Sequence, residues 1–377
     1  MTLRMTCSAM LAGIAISGCA TPQTTGAGAE SALTAIERDK QLAFVAGKRL
    51  DAMDRLAAIS NDVMIANAAQ CGPRITKTFG LVFSEAHDID ADGEKAAYRE
   101  GRLSLPPVVR AASPYADPPA KVGDALVAID GEPVISEEVL EALLARGAEK
   151  GGAAMTVARD GSELEVQAVP VVACDVPVEL AWDADNNAFT DGDRIVMNRG
   201  ILDMAESDDE VALVVAHELG HVASGHIEAG RENAIAGGAV GLLADIGMAA
   251  LGVNTGGAFM EAGARAGRGA YSQDFEREAD YVGAYFAANA GYSVDAGKQI
   301  WRSMGAASPG SLNFAGTHPT SPERYVALDN AAKEVAASED GTLQPRNWTS
   351  RMVARPEADP NRAAVKGAPG ESVATGR

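Results

Sequence analysis

One run of residues constrains the folding of this chain more than any other. Positions 211–216 are all apolar, and the next five residues, from His217 to His221, read HELGH. A helix that is apolar on every side is buried in a core, so both histidines are expected inside the protein. Side chains four residues apart share one face of a helix. Both imidazoles can therefore reach one metal ion, with the carboxylate of Glu218 beside it, which is the zinc-hydrolase pattern.

The start of this helix is marked by a capping box. Ser207 supplies the capping hydroxyl and Glu210 the carboxylate three residues later, and the first turn is acidic throughout. We predict a helix over 208–228. Two surface histidines are the simpler alternative, but exposed histidines do not usually follow six apolar residues.

A catalytic zinc site needs a third protein ligand and one open position. The metzincin spacing would place a histidine at Ile227, so that class is disfavoured. His226 lies one residue short of that spacing. We interpret it as a helix-end residue that binds the last carbonyls.

A second helix is predicted to open within residues 271–280. Glu276 and Asp280 share one of its faces, so Glu276 is a candidate ligand and Asp280 could orient a ligating histidine. A solvated acidic face is the alternative when this segment is considered alone. Glu278 lies on another face and is expected to face solvent or to bind a basic neighbour.

These residues resemble a family of zinc endopeptidases. Its members include the CAAX prenyl endopeptidase, the bacterial heat-shock membrane protease and the mitochondrial inner-membrane quality-control protease. The resemblance covers residues 178–335. It is carried, in order, by Asn187-Ala188-Phe189 with Gly192 and Gly200-Ile201-Leu202, the HELGH motif, Tyr271-Ser272 through Glu276 to Gly283, and Thr317-His318-Pro319 with Pro322-Glu323-Arg324.

The resemblance implies an α+β fold, with a mainly helical gluzincin-like peptidase domain and a small antiparallel edge hairpin. It implies one Zn²⁺ held by His217, His221 and Glu276, with Glu218 as general base and then acid. His318 would lie near the metal, where it either stabilises the oxyanion or occupies the open coordination site in a latent state. A loop histidine without either role is the alternative.

The hairpin is also predicted from the residues themselves. Asp191-Gly192 is a strong turn signal, and Ile195-Val196-Met197 reads as a short strand. In the family, an edge strand near the zinc pairs with extended substrate backbone. The resemblance therefore makes Asn187, Ala188 and Phe189 the candidate docking residues.

The first residues read as a lipoprotein signal. A basic start and a short apolar run lead to Ile16-Ser17-Gly18-Cys19, so residues 1–18 would be removed and Cys19 would carry the lipid. Residues 19–30 would form a tether, and Ala20 after the cysteine resembles lipoproteins of the outer membrane. We therefore expect a periplasmic, lipid-anchored protein of a Gram-negative bacterium, with a plain signal peptide as the alternative.

Two further cysteines, Cys71 and Cys174, form an even pair in an oxidising compartment, and we predict a disulfide between them. The segment 72–175 resembles a PDZ domain in its Val108–Pro114 and Val122–Val134 blocks. A helix is predicted from Ser136 to Arg146, ended by Gly147. The resemblance implies binding of extended peptides or C-termini, and a small β domain with a spacing role is the alternative.

The remaining segments complete the predicted organisation. Residues 31–71 read as helical, with Leu33, Ile36, Leu50, Met53, Leu56 and Ile59 on buried faces. Residues 176–340 would be the peptidase domain and 341–377 a disordered tail. The weakly charged stretch 235–253 is expected to be a lid or a membrane-facing segment, with a buried or a spanning helix as alternatives.

The charge balance of the sequence argues against some classes of binding partner. The net charge is −20, with 52 acidic and 32 basic residues, which argues against nucleic acid and against attraction to anionic membranes. We expect a zinc endopeptidase that cleaves unfolded or misassembled cell-envelope proteins. An outer-membrane assembly chaperone, in which proteolysis is secondary, and a non-peptidase zinc hydrolase are the alternatives.

Overall fold

A computed structural model describes the chain over residues 31–86, 89–117, 119–269, 272–307, 318, 321–338 and 343–354. The predicted signal peptide and tether, with Cys19, lie outside the described residues. The fold is α+β, with long helices and small sheets, as the sequence predicts.

The helices and strands of the described residues have the following bounds. The helices are α1 (Ser31–Ala66), α2 (Ala91–Arg99), α3 (Glu137–Lys150), α4 (Arg199–Met204), α5 (Asp208–Ala223), α6 (His226–Ala250), α7 (Ala258–Gly269), α8 (Ser272–Asn289), α9 (Val294–Gly297), α10 (Gln299–Ala307) and α11 (Pro322–Ala336), with a 3-10 turn at Ala68–Gln70. The strands are β1 (Ile75–Thr78), β2 (Leu81–Phe83), β3 (Val109–Ala112), β4 (Ala125–Ile129), β5 (Glu132–Pro133), β6 (Ala153–Arg159), β7 (Ser162–Ala168), β8 (Val171–Cys174), β9 (Val178–Ala181), β10 (Ala188–Thr190) and β11 (Ile195–Asn198).

The middle segment is a β module with its own core. An antiparallel sheet of order β5-β4-β6-β7 and the pair β2-β3 enclose buried Leu126, Ile129 and Met155 with residues of α3. Ser136 caps α3 as predicted, but the helix continues past Gly147 to Lys150. Gly151, at φ 88°, supplies the left-handed cap that ends the helix, whereas Gly147 lies within the helix close to Phe79 and Ala153. The PDZ-like assignment of this module remains a prediction.

A disulfide joins the two ends of the module. Strand β1 pairs antiparallel with β8, in register Ile75↔Cys174, and Cys174 is bonded to Cys71. Both cysteines are buried in the core that the module shares with α1 and the helical part of the chain. The link therefore closes a separation of 103 residues at the point where the β module meets the rest of the protein.

The helical part is organised around α5. Ser207 Oγ accepts a hydrogen bond from Glu210 N at the start of this helix, as the capping box predicts. Every residue from Glu210 to Ala223 is buried. Helix α8 crosses α5 at two glycines: a Cβ on Gly283 would lie 2.9 Å from His217 Cα, and one on Gly220 would lie 3.0 Å from Ala279 O. This close approach brings the side chains of α8 within reach of the α5 histidines.

A three-stranded sheet of order β10-β11-β9 lies next to α5. The β10–β11 pair is the hairpin that the sequence predicts, with Ala188 opposite Met197 and Gly192 in the turn at φ 97°. Strand β9 pairs parallel with β11 on the other side. Among the described residues β10 is an edge strand, because no strand pairs with its outer side.

Two predictions about the ends of the described chain are wrong in part. Leu33 and Ile36 of α1 are exposed, because burial in α1 begins about two turns later. The predicted disordered tail is wrong for 343–354, because this stretch packs against the end of α5. Trp348 Nε1 donates to Ser224 Oγ at 3.0 Å and Arg351 N donates to Ala223 O at 2.7 Å. Residues from 355 onward lie outside the described residues.

Helices α6 and α7 form a long hairpin that extends away from the core. Of the helices described, α6 is long and apolar enough to cross a membrane by length and composition, and 17% of its apolar stretch is buried. This exposure excludes the plain buried helix that was one alternative for 235–253.

The disulfide generates a prediction about stability. Cys71→Ala should lower the free energy of unfolding by about 2–4 kcal/mol, because the cross-link restricts a long loop in the unfolded chain. Denaturant unfolding followed by circular dichroism measures the change. Reductant should destabilise the native protein but leave the Cys71→Ala/Cys174→Ala variant unchanged. Equal midpoints for the native protein with and without reductant would contradict the prediction.

Candidate metal centre

Three predicted ligands meet at the crossing of α5 and α8. His217 and His221 are 3% and 6% exposed, and their Nε2 atoms lie 3.1 Å apart. Glu276 of α8 extends its two carboxylate oxygens towards them, with Oε1 3.3 Å from His221 Nε2 and Oε2 3.6 Å from His217 Nε2. The structure therefore brings together the residues that the sequence singles out as ligands.

His318 completes the set of donor atoms. Its Nδ1 lies 3.3 Å from His217 Nε2 and 3.1 Å from Glu276 Oε2, and the four donors all lie within 4.8 Å of one another. Donor atoms about 2.1 Å from one tetrahedral zinc ion are about 3.4 Å apart. The measured separations of 3.1–3.6 Å fit that geometry.

Glu218 stands beside the donors without joining them. It is 1% exposed, its Oε1 lies 3.5 Å from His318 Nε2, and its Oε2 has no hydrogen-bond partner within the described part of the chain. A buried carboxylate oxygen normally accepts a hydrogen bond. The position suits a carboxylate that receives a proton from a water molecule next to the donor atoms.

The charges of the site favour a bound cation. Glu218, Glu276 and Asp280 are three buried carboxylates, whereas within the described residues Arg324 is the one buried guanidinium beside them. Buried charges are paired or coordinate metals. With neutral histidines, the three carboxylates and Arg324 leave two negative charges uncompensated, which one divalent ion would balance.

Asp280 and Arg324 hold the first histidine in place. Asp280 Oδ1 lies 3.1 Å from His217 Nδ1, and Arg324 donates two hydrogen bonds of 2.7 Å to the same carboxylate. Burial alone would lower the pKa of His217, but Asp280 and Glu276 outweigh it and raise the pKa to about 9. Without metal, His217 therefore carries a proton at neutral pH, and metal binding must displace that proton.

Glu276 is held ionised by the same surroundings. Burial would raise the pKa of its carboxyl, but His318, His217 and His221 hold that pKa well below its usual range. Arg324 Nη1 adds an ion pair of 2.8 Å to Glu276 Oε2. The carboxylate is therefore available as a metal ligand throughout the physiological pH range.

His226 orients the second histidine, which corrects the prediction that it binds helix carbonyls. It is buried at the start of α6, its Nδ1 lies 3.0 Å from His221 Nδ1, and its Nε2 lies 3.1 Å from Glu278 Oε2. Burial and the nearby His221 lower the pKa of His226 to about 4, so the ring is neutral. With its Nε2–H donated to Glu278, His226 accepts from His221 Nδ1–H and leaves His221 Nε2 free for a metal.

A cleft of about 510 Å³ opens onto this cluster. Phe189 and Thr190 of β10 line one wall and the first turns of α6 line another, with Glu218, His221 and His318 between them. Of the predicted docking residues, Phe189 therefore reaches the cleft. Ala188 is buried, and Asn187 lies just before β10, where its carbonyl accepts from Asn198 N.

Sequence reasoning missed two contacts that support the metal donors: those of Arg324 and the pairing of His226 with Glu278. Arg324 stands in the Pro-Glu-Arg block that carries the resemblance, but no motif says which carboxylates it binds. His226 and Glu278 are 52 residues apart, so their pairing is visible only once α6 and α8 are placed together. The sequence did offer one signal, a histidine five positions after His221, but it did not identify Glu278 as the partner of that histidine.

Comparison with known proteins agrees with this geometry. Residues 166–332 match the model of peptidase family M48. This segment is therefore similar to the M48 peptidases. The chain is 30% identical over 170 residues to the mitochondrial metalloendopeptidase OMA1 of Schizosaccharomyces pombe, covering 42% of this chain and 49% of that protein. It is 31% identical over 140 residues to the OMA1 of Arabidopsis thaliana, covering 37% and 27% respectively.

The matches to these relatives therefore cover only one part of the chain. The chain spans about half the length of the yeast relative and about a quarter of the plant one. The matched segment begins within β7 and ends within α11, so it contains the four metal-donor residues, Glu218 and the three-stranded sheet. Most of the β module and all of α1 lie outside the match.

The role of His226 can be tested on metal affinity. His226→Ala keeps every donor residue but removes the acceptor of His221 Nδ1–H, so we expect zinc affinity to fall about 10–100-fold. Competition with a chromophoric chelator measures this affinity. His226→Asn, which keeps an acceptor near the position of Nδ1, should recover part of the loss. Equal affinities of the Ala variant and the native protein would contradict the assignment.

Proposed function

We propose that this protein is a zinc-dependent endopeptidase acting on extended polypeptide chains. The observation that carries the proposal is the position of the edge strand β10 beside the buried cluster of His217, His221, Glu276 and Glu218. The metal donors explain hydrolysis, and the edge strand explains why the substrate is a polypeptide.

Substrate binding follows from the edge strand. Alternate residues of a strand face opposite sides, and here Ala188 and Thr190 are buried while Phe189 is 40% exposed beside the cleft. A substrate added to β10 would bind through backbone hydrogen bonds, which every sequence can make. Phe189 would contact substrate side chains, so we expect broad specificity with a modest apolar preference.

The chemistry is divided between the metal and one carboxylate. His217, His221 and Glu276 would hold a zinc ion, which would supply Lewis acidity for the scissile carbonyl and for a water molecule at neutral pH. Glu218 accepts the proton of the attacking water at its unpartnered oxygen and then transfers it to the leaving amine. Asp280 and His226 hold the imidazoles of His217 and His221 with Nε2 towards the metal.

His318 occupies the fourth donor position in this arrangement. Its Nδ1 is as close to His217 Nε2 and Glu276 Oε2 as the three ligands are to one another. We propose that this geometry is a resting state, in which His318 would hold the metal together with His217, His221 and Glu276, and that substrate entry moves the His318 ring away from this cluster. Stabilisation of the oxyanion by His318 is the second possible role, and a substitution separates the two.

The substrates that we propose are unfolded or misassembled proteins of the bacterial cell envelope. The lipoprotein-like signal ending at Cys19 and the Cys71–Cys174 disulfide support an oxidising compartment outside the cytoplasm. Backbone docking on β10 also requires extended rather than folded chain.

A second candidate function is peptide binding by the β module, as in an assembly factor. A cavity of about 870 Å³ lies between β2, α3, α1 and β9, with apolar residues such as Leu81, Phe83 and Leu140 in its lining. A PDZ-like domain would bind its peptide between the corresponding strand and helix. In that case binding, rather than cleavage, would carry the biological role.

Glu218→Gln tests the peptidase function. The amide cannot accept the proton, so we expect casein cleavage to fall by about 10²–10⁴-fold. Zinc content, measured by elemental analysis, should remain at one per chain because no donor residue changes. Substantial cleavage by the variant would exclude Glu218 as the base. Rescue of a deletion strain by the inactive variant would favour the binding function.

His318→Ala tests the resting-state assignment. Three donors remain, so we expect zinc to be retained and cleavage of a short unstructured peptide to rise several-fold, because the competent fraction of enzyme increases. Steady-state rates at saturating zinc measure this effect. A fall of about 10²-fold or more would instead assign His318 to oxyanion stabilisation.

A further inference from the structure

Helices α6 and α7 contact each other through small residues and expose their large apolar side chains. A water-soluble helix pair usually does the opposite and buries its large apolar side chains at the contact. Glycines of the two helices face each other: a Cβ on Gly237 would lie 2.1 Å from Gly263 O, and one on Gly241 would lie 1.9 Å from Phe259 O. The backbones are therefore in direct contact, and no large side chain fits between them. Small residues at the contact are typical of helix pairs in lipid.

The large apolar side chains point outward instead. We define the hairpin tip as residues 240–260. Its exposed apolar side chains include Val240, Leu243, Ile246 and Leu251, at 57–77% exposure. At about 100° per residue, the first three and Leu242 span more than a third of the circumference of α6. Surfaces of this kind on soluble proteins mark contact with a partner or a membrane.

The exposed surface of the tip is also free of ionised side chains. Asp245 is the single acidic or basic residue between 240 and 260, in a chain in which 22% of residues are charged. It is 7% exposed, and its carboxylate accepts hydrogen bonds from Met260 N at 2.8 Å, Phe259 N at 3.3 Å and the Thr255 hydroxyl. The one charge of the tip is thus enclosed between the helices.

Four of the seven backbone amides of the connecting loop, residues 251–257, donate hydrogen bonds within the tip as well. The amides of Leu251, Gly252 and Val253 donate to carbonyls of the last turn of α6, and Ala258 N donates to Thr255 O. Gly256 N donates to the Asn254 side chain. Internal satisfaction of backbone donors is a requirement in hydrocarbon but not in water.

The dimensions limit how deeply the tip can enter a bilayer. Because Gly237 faces Gly263 and Gly241 faces Phe259, Glu261 of α7 lies level with residue 239. Glu261 and Arg265 are exposed and paired with each other, so they belong at the headgroups. Beyond that level α6 continues for about 11 residues, or about 16 Å, roughly half of a hydrocarbon core of about 30 Å.

We propose that the hairpin tip inserts into one leaflet of a lipid bilayer without crossing it. A protein partner fits less well, because protein interfaces have a polar rim and the tip presents no charged side chain around its apolar residues. With a net charge of −20, the protein binds through apolar contact rather than attraction to anionic lipid. Insertion is therefore insensitive to salt and does not require acidic lipids.

Insertion would also place the catalytic cleft near the membrane. Ile227, Gly230 and Arg231, at the base of α6, line the cleft that contains Glu218 and His318. About nine residues, or about 14 Å of helix, separate Arg231 from the start of the tip. This consequence rests on the proposed peptidase function, whereas membrane binding does not.

The test is flotation of the full chain, carrying Cys19→Ser to prevent acylation, with phosphatidylcholine vesicles. Leu243→Asp with Ile246→Asp should lower the partition coefficient at least tenfold. Val122→Asp with Ile135→Asp is the matched control, because these β-module residues are also exposed, at 65% and 67%. The control should bind the vesicles as the unsubstituted protein does. Addition of 0.5 M salt should not change the vesicle binding of either protein.

A local readout separates the tip from the rest of the chain. Tryptophan placed by Leu251→Trp should be quenched by brominated lipid, whereas tryptophan placed by Val122→Trp should not. Unchanged flotation of the tip variant, no quenching at position 251, or binding restricted to acidic vesicles would overturn the proposal. So would a lipid-free dimer that the tip substitutions dissociate, since a second copy would then cover this surface.

The same measurements keep the two proposals distinguishable. Flotation can be carried out on the Glu218→Gln variant, so membrane binding is measured whether or not the protein is a peptidase. Casein cleavage by the tip variant in the absence of lipid should equal that of the unsubstituted protein, because the substitutions lie outside the metal cluster.

Discussion

The close crossing of α5 and α8 is the constraint on which the rest of the site depends. Gly220 and Gly283 allow the two backbones to approach within a distance that any side chain would prevent. At this distance Glu276 and Asp280 face His217 and His221, and all four side chains are buried. Buried ionised carboxylates are unfavourable unless cations compensate them. Arg324 supplies one positive charge, and a divalent metal would supply the remainder.

Elements on two sides of the α5–α8 crossing complete the site. On one side, the three-stranded sheet presents the edge strand β10 to the cleft, where an extended polypeptide can add as a further strand. On the other, α6 begins directly after α5, positions His226 against His221, and continues into the apolar hairpin tip. Substrate access, metal geometry and the membrane contact that we propose are therefore linked through the ends of one buried helix.

Several features of this site could be predicted without coordinates because they are local. The i, i+4 spacing of His217 and His221, and of Glu276 and Asp280, fixes which side chains share a helix face. The hairpin turn at Asp191-Gly192 and the cap at Ser207 follow from short-range hydrogen bonding, and both appear as predicted. The prediction that Gly147 ends α3 was wrong, since a glycine in that position serves equally well to admit a close neighbour.

The sequence by itself determined the chemistry of this protein: which residues can donate to a metal, and which carboxylate lies beside them. Tertiary structure alone decided how those residues are held. The pairing of His226 with Glu278, the clamp of Arg324 on Asp280 and the packing of 343–354 all join positions distant in the chain. Such contacts depend on how helices cross, and no local preference of the backbone encodes a crossing. The outward face of the hairpin tip was also decided by the tertiary structure. The glycines of α6 show which side of that helix is buried only when α7 is in place.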